Sequence, residues 1–415
     1  MVEVTLIEDN PWVIRTFATS LTQDSRDWRE LLNDAKTKPL DDCKRYIKKI
    51  AGELVYRDGV ASRKGYGHPI AAEFGKRAIV LDGISRLSAL YLWRNINTLS
   101  EVYGDGLERS FRVQRPPFRC IDDESRTLYE YGLGAYAKGA ERGIPTEDLR
   151  FIFPEGLLTT VVLNAPEGTE RYVTKIVNAF KRWQLKEHAE LRTGLLEIIG
   201  ENYDFFSEEA PMSEWEMWGR EWKGKEEITI SGNPSSSAFN LVSDGSLSMY
   251  AQLVRQRMGN VEIEPIENIA ARSRFEVPYT FDSEMERAYM EIAARATGIQ
   301  RKYLERGDPN FVYYTLLGQK ARAVFHTFGR NGKSTANARA CGTAQWEIRN
   351  KIGITMAKSL GMGAKCYENK ICREPLKSKE KCAIKNEWTK LSLEEGLEML
   401  KVPLKDFQID NQAEN

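Results

Sequence analysis

The chain has no run of about eighteen consecutive apolar residues, so nothing in it reads as a transmembrane helix. Its opening, MVEVTLIEDN, is acidic and lacks the basic start and apolar centre of a signal peptide. Together these absences predict a cytoplasmic protein of a bacterium or a virus-infected cell, with no membrane partner. Excess charge is missing too. Sixty Lys and Arg face sixty Asp and Glu, whereas a general polyanion binder would carry a basic surplus. Cysteine is sparse, six in 415 residues, which fits a reducing compartment. Cys366, Cys372 and Cys382 cluster near the C-terminus, but they form no C-x-x-C pair and no histidine follows them. Free thiols are expected there over zinc, and no metal site is expected elsewhere. No Gly-x-Gly-x-x-Gly or Walker loop points to a dinucleotide or triphosphate fold, and no Gly-x-Ser-x-Gly elbow points to a hydrolase.

What remains is an ordinary globular composition, 41% hydrophobic and 29% charged, at a length that suggests two domains. VEVTLIE alternates like a strand, and DSRDWRELLNDAK follows as a helix capped by Asp24 or Ser25. KPLDDCKRYIKKIAGELV reads as a second helix. RAIVLDGISRLSALYLWRNI passes from an apolar strand into a helix, and SAFNLVSDGSLSMYAQLVRQR repeats that order. Four pairs of segments recur in the same sequence: GHPIAAEF with GNPSSSAF, ISRLSALYLWRNI with GSLSMYAQLVRQR, EDLRFIFP with QKARAVFH, and EHAELRTG with AQWEIRNK. Their offsets are 165, 161, 172 and 157 residues. Kept order with changing loop lengths predicts a tandem duplication. The expected division is residues 1–205 for a first unit and 206–228 for a Trp-rich connector. A second unit takes 229–375, and a tail with a short helix takes 376–415. The connector's Trp215, Trp218 and Trp222 share one helical stripe. That stripe suits packing on the core better than a base-stacking platform.

Each copy places arginines at the ends of its helices. Arginine presents a planar fork of donors that matches phosphate oxygens or the carbonyl edge of a pyrimidine. Several of them converging without a metal motif suggest an anionic, planar ligand such as a nucleotide. Spacing alone gives a plainer reading of AQWEIRNKI. Ala344, Ile348 and Ile352 share a face, Glu347 and Lys351 stand at i, i+4, and Arg349 is then a solvated arginine on an amphipathic helix.

AQWEIR, together with NAR at Asn337 to Arg339, resembles the C-terminal signature of the flavin-dependent thymidylate synthases, the ThyX family. GHPIAAEF resembles that family's Gly-His-x-Ser-x-x-Glu-His segment, and QLVRQR its Arg-His-Arg segment preceded by glutamine. WRNI matches the same segment more loosely in the first copy. The resemblance covers roughly residues 1–200 and 228–365. It implies an α/β (α+β) chain of two ThyX-like units, each a mostly antiparallel sheet packed with helices, and a homodimer that supplies four such units. It further implies FAD as cofactor, NADPH and methylenetetrahydrofolate as co-substrates, and a pyrimidine nucleotide such as dUMP as substrate. C5 of that base would be methylated or hydroxymethylated. A Pro-Cys-His nucleophile of the classical synthases is not found.

Carried over residue by residue, Gln252, Arg255, Arg339 and Arg349 bind the nucleotide, as do Arg94 and Arg192 in the first copy. His68, Ser235, Arg257 and Asn337 face the flavin. Arg349, Arg274 and Ser273 are the catalytic candidates. The sequence departs from the family at the central histidine of Arg-His-Arg, which is Asn95 in one copy and Gln256 in the other. The family's Ser-x-Arg-Tyr survives only as RSRF, with Arg272 in the place of serine and Ser273 one position out of register. These departures raise a rival expectation, a ThyX-like fold kept for nucleotide binding or structure with its catalysis lost.

Overall fold

The computed structural model describes residues 2–51, 53–57, 60–64, 74–98, 106–109, 118–119, 122–165, 185–199, 227–231, 238–254, 259–342, 344–363, 382 and 390–409. They form a mixed α+β protein with antiparallel sheets. The chain divides into two compact units, Met1–Arg119 with Gly156–Ala210, and Cys120–Glu155 with Pro211–Asn415.

Unit 1 opens with β1 (Glu3–Glu8), α1 (Pro11–Leu21), α2 (Trp28–Thr37) and α3 (Leu40–Ala51). Asp27, not Asp24 or Ser25, caps α2, because its carboxylate lies at the N-cap and accepts from the Arg29 N–H. The GELV end of the expected second helix instead turns into β2 (Glu53–Arg57), which pairs with β3 (Val60–Lys64). Next come β4 (Arg77–Ser85), α4 (Arg86–Thr98) and the short β5 (Gly106–Glu108). The chain then leaves for α5 (Asp123–Glu141) and α6 (Thr146–Leu149), which belong to unit 2, and returns for β6 (Leu158–Asn164) and α7 (Lys186–Ile199). The sheet order is β1-β4-β6-β5. Ile14, Phe17, Leu21, Trp28 and Leu31 of α1 and α2 pack with Val80 and Val162 of its two central strands.

Unit 2 continues with β7 (Glu227–Ser231), β8 (Ala238–Ser246), α8 (Leu247–Leu253), β9 (Gly259–Ile263), α9 (Ile266–Arg272) and β10 (Arg274–Val277). The long α10 (Ser283–Glu305) follows, then β11 (Lys320–Phe328) and α11 (Gly329–Arg339). The order of its four-stranded sheet, β7-β8-β11-β9, repeats that of unit 1 strand for strand. α5 lies along α10, tied by Tyr131 to Glu291 and by Lys302 to Glu124. The stretch EDLRFIFP forms α6 and a tight turn, not a strand, and the backbone of Phe151 and Phe153 accepts from Gly318 and Leu317. Its sequence pairing with QKARAVFH therefore does not hold in three dimensions; β6 is the strand that corresponds to β11.

AQWEIRNKI departs from a simple amphipathic helix. One turn, α12 (Trp346–Ile348), passes into a wide π-type turn over Arg349–Ile354 and then α13 (Thr355–Leu360). Gly353 sits there because a Cβ would lie 2.1 Å from the carbonyl carbon of Arg339. The tail folds into α14 (Leu393–Met399), with a Ser392–Glu395 capping box, and β12 (Lys405–Gln408), which pairs with β10. The connector's tryptophans and most of GHPIAAEF and GNPSSSAF lie outside the described residues.

Candidate functional site

One arrangement recurs in both units, at the junction of the second sheet strand and the helix after it. Ser85 ends β4 and Ser246 ends β8. Each hydroxyl caps the following helix, accepting from the N–H of Ser88 at 3.1 Å and of Met249 at 3.0 Å. Each serine N–H donates to a buried glutamate at the second position of a later helix: Ser85 to Glu187 of α7 at 2.5 Å, Ser246 to Glu347 of α12 at 2.7 Å. A cation then bridges that glutamate and the carbonyl two residues before the serine. In unit 1 it is Arg119, 2.9 Å from the Gly83 oxygen and 3.5 Å from Glu187. In unit 2 it is Lys351, 2.5 Å from the Asp244 oxygen and 3.7 Å from Glu347.

These contacts bear out one expectation and correct another. Glu347 and Lys351 do pair at i, i+4, and both are buried inside the clasp. Glu187, not Glu190, is the counterpart of Glu347, so the true offset is 160 residues, and Arg192 lies almost a turn beyond the place that matches Arg349. Glu190 instead accepts from the Val2 N–H. No sequence signal identifies Arg119 as the counterpart of Lys351, because the two come from unrelated stretches.

In unit 2 the clasp opens into a larger charged cluster. Lys351 also meets Glu276 of β10 at 2.8 Å, and Lys320 of β11 stands 3.5 Å from Glu276 and from Asp244. Burial, with Glu347 nearby, pushes Glu276 up and outweighs the two lysines. Burial also pushes Glu264 up to about 7, although Arg272 and the Arg322 N–H oppose it. In unit 1 a buried base shifts the other way. His188, buried and 3.0 Å from the Ser88 hydroxyl, is driven down to about 4 by desolvation.

The sequence-derived candidates fall into three groups. His68, Ser235, Arg255 and Arg257 lie outside the described residues, and Arg94 is placed only as part of α4. Arg349, Ser273 and Arg274 are described and already engaged. Arg349 is only 7% exposed, against the solvated position that spacing suggests. Its Nε donates to the Leu400 carbonyl at 2.8 Å, and its Nη1 to those of Gly342 at 2.9 Å and Ala344 at 3.2 Å. Burial holds its pKa below the usual arginine range. Ser273 closes α9 with a left-handed backbone (φ 45°), and its hydroxyl donates to the Ala270 carbonyl. Arg274 pairs with Asp406 at 2.6 Å and Asp244 at 3.4 Å.

The third group is Gln252, Asn337, Arg192 and Arg339, all half-buried. The Gln252 Nε2, Asn337 Oδ1 and Arg192 Nε atoms are buried and have no hydrogen-bond partner among the described residues. Such atoms are costly to leave unpaired unless a ligand or water completes them. They are not confined to these residues. Tyr289 Oη, within a nest of Phe275, Phe281 and Phe407, is another. Among the described residues no group of three or more His, Cys, Asp or Glu side chains is arranged to hold a metal ion, and no helix is long and apolar enough to cross a membrane.

No family model matches the chain, and no curated protein matches it either.

Proposed function

We propose that the chain is a tandem pair of ThyX-like units that alkylates C5 of a pyrimidine deoxynucleotide such as dUMP, by methylation or hydroxymethylation. Methylenetetrahydrofolate donates the carbon, and two chains associate to provide four units. The observation that carries this reading is a coincidence. Gln252 and Asn337, chosen from sequence as nucleotide and flavin contacts, each hold a buried polar atom without a partner among the described residues. An amide donor and an amide acceptor suit the carbonyls and ring N–H of a pyrimidine or an isoalloxazine.

FAD fits that donor set, and when bound it supplies the redox equivalents, which NADPH replenishes. His68, Ser235, Arg257 and Asn337 would hold it, as the resemblance implies, and of these only Asn337 lies among the described residues. Gln252, Arg255, Arg339 and Arg349 of the second copy, with Arg94 and Arg192 of the first, bind the nucleotide. C5 of uracil is a weak nucleophile, and a guanidinium beside the base carbonyl stabilises the negative charge that builds there during attack. Arg349, Arg274 and Ser273 are the residues to which the resemblance assigns that chemistry.

The test is incubation of the purified chain with dUMP or dCMP, methylenetetrahydrofolate, FAD and NADPH, with the nucleotide product weighed by mass spectrometry. A methylated or hydroxymethylated nucleotide supports the reading and decides between its two outcomes. An unchanged nucleotide that still binds would favour the second reading, a nucleotide-binding or structural protein without catalysis. One observation favours that second reading: Arg349, Arg274 and the Ser273 hydroxyl already spend donors on groups of their own unit.

A further inference from the structure

The three residues read as catalytic touch a single short segment near the end of the chain. The Leu400 carbonyl accepts from Arg349 Nε at 2.8 Å, and the Ile409 N–H donates to the Ser273 carbonyl at 3.0 Å. The Asp406 carboxylate takes Arg274 Nη2 at 2.6 Å. Asp406 also takes Lys320 Nζ at 2.5 Å, closer than either of that lysine's other carboxylates. Lys320 is only 8% exposed along its side chain, so a buried ammonium is neutralised mainly by a residue on the most peripheral strand of the unit. Burial pushes Asp406 up, yet Lys320 and Arg274 outweigh it and hold the carboxyl below its ordinary range.

Beyond its pairing with β10, β12 buries little side chain. Three of its four residues are exposed, and only Phe407 packs inward, stacked on Phe275 at 5.2 Å. The anchorage lies just before it, where Leu397 and Leu400 are buried with Ala340, Ile354 and Ala357. Asn350 also clamps the backbone of Val402 from both sides. The strand can therefore lift beyond Val402 while the preceding helix stays docked.

We propose that Arg274 and Lys320 form an anion-binding site that the chain fills with its own Asp406, and that β12 is a cover which a phosphate-bearing ligand displaces. Both cations converge on one carboxylate oxygen, Asp406 Oδ2, which stands in for a phosphate oxygen shared between them. Among the described residues, unit 1 differs at this position. Leu158 pairs with Ser85 where Lys320 pairs with Ser246. The proposal rests on the nucleotide reading only for the identity of the ligand that carries the phosphate.

The experiment is calorimetric titration of the full chain and of Asp406→Ala with inorganic phosphate and, separately, with dUMP. Asp406→Ala should bind phosphate about tenfold more tightly than the unchanged chain, and adding Lys320→Met should abolish that gain. A folded Asp406→Ala protein with no gain overturns the proposal, as does a gain that survives Lys320→Met. Should Asp406→Ala fail to fold, deletion of residues 405–415 tests the same point by the same titration. Tighter phosphate binding with no gain for dUMP upholds the site and its cover, and counts against the nucleotide reading alone.

Discussion

Units 1 and 2 hold the same backbone junction with the same kind of glutamate, and differ in almost everything around it. In unit 1 the bridging cation is Arg119, whose side chain is 18% exposed. In unit 2 it is Lys351, at 4% exposed, and its charge is shared with Glu276. A planar guanidinium can satisfy a carbonyl and a carboxylate and still reach water, whereas a buried ammonium needs anions on several sides. The contact that fixes strand to helix has thus been kept, while the chemistry next to it has diverged. Polar surroundings accumulate in unit 2, where Lys320, Arg274 and Asp406 gather beside the clasp.

The largest effect should come from removing the shared glutamate where its partner is most buried. Glu347→Ala strips Lys351 of one anion and leaves the Ser246 N–H unpaired, and should cost about 3–5 kcal/mol. Glu187→Ala should cost about 1–3 kcal/mol, because Arg119 can turn toward solvent. Glu190→Ala should stay near the small values typical of a surface change. Denaturant unfolding of the three variants checks this order, and a Glu190 loss as large as that of Glu187 would undo the three-residue shift in register.

Next in size is the contrast between the arginines. Arg349→Ala abandons three buried carbonyls and should destabilise by about 2–4 kcal/mol. Arg192→Ala should cost less than about 1 kcal/mol. Because the first loss is largely one of stability, any fall in nucleotide affinity at Arg349 must be read on protein shown to be folded.

The two units should also answer pH with opposite signs. Burial raises Glu264 from its ordinary 4.5 to about 7. Between those values the folded form holds the extra proton, so its contribution to stability is complete below about 4.5 and is lost as pH rises to about 7. His188 falls from 6.5 to about 4, so there the unfolded form holds the extra proton, and stability is lost as pH falls from 6.5 toward 4. Hydrogen exchange followed by mass spectrometry, after correction for the intrinsic pH dependence of exchange, should show unit 2 tightening and unit 1 loosening on acidification from pH 6.5 to 5. Glu264→Gln should weaken the first trend and leave the second.

The smallest stability effects are expected at the residues that matter most for ligand. Gln252→Ala and Asn337→Ala should change stability by less than about 1 kcal/mol. Each should lower affinity for its ligand about fivefold or more, the scale of one hydrogen bond. Equal affinity in all three proteins would remove the observation on which the proposed function stands.

The strand-to-helix passages at Arg77–Thr98 and Ala238–Leu253 were legible in the sequence because an apolar run stops at a serine and a helical period begins. The antiparallel, mixed character of the fold was expected from the resemblance and not from these periodicities. EDLRFIFP misled, since its apolar residues are buried in a turn, where strand-like composition carries no strand geometry. Arg349 misled differently: i, i+4 spacing says nothing of a tail that returns fifty residues later to cover the helix. Lys351 was legible as the i, i+4 partner of Glu347, whereas Arg119, the partner of Glu187, was not, because it comes from a distant stretch with no shared register. Asp406 lies in the tail beyond its expected short helix and acquires its place only through pairing with β10.

The central claim is that these two units bind flavin and a pyrimidine nucleotide. It is tested most directly by the visible absorbance of the purified full chain, titrated with FAD and then with dUMP. A flavin band near about 450 nm that stays with the protein through gel filtration, and shifts when dUMP is added, is the predicted result. A folded protein that retains no FAD and shows no response to dUMP would contradict the account.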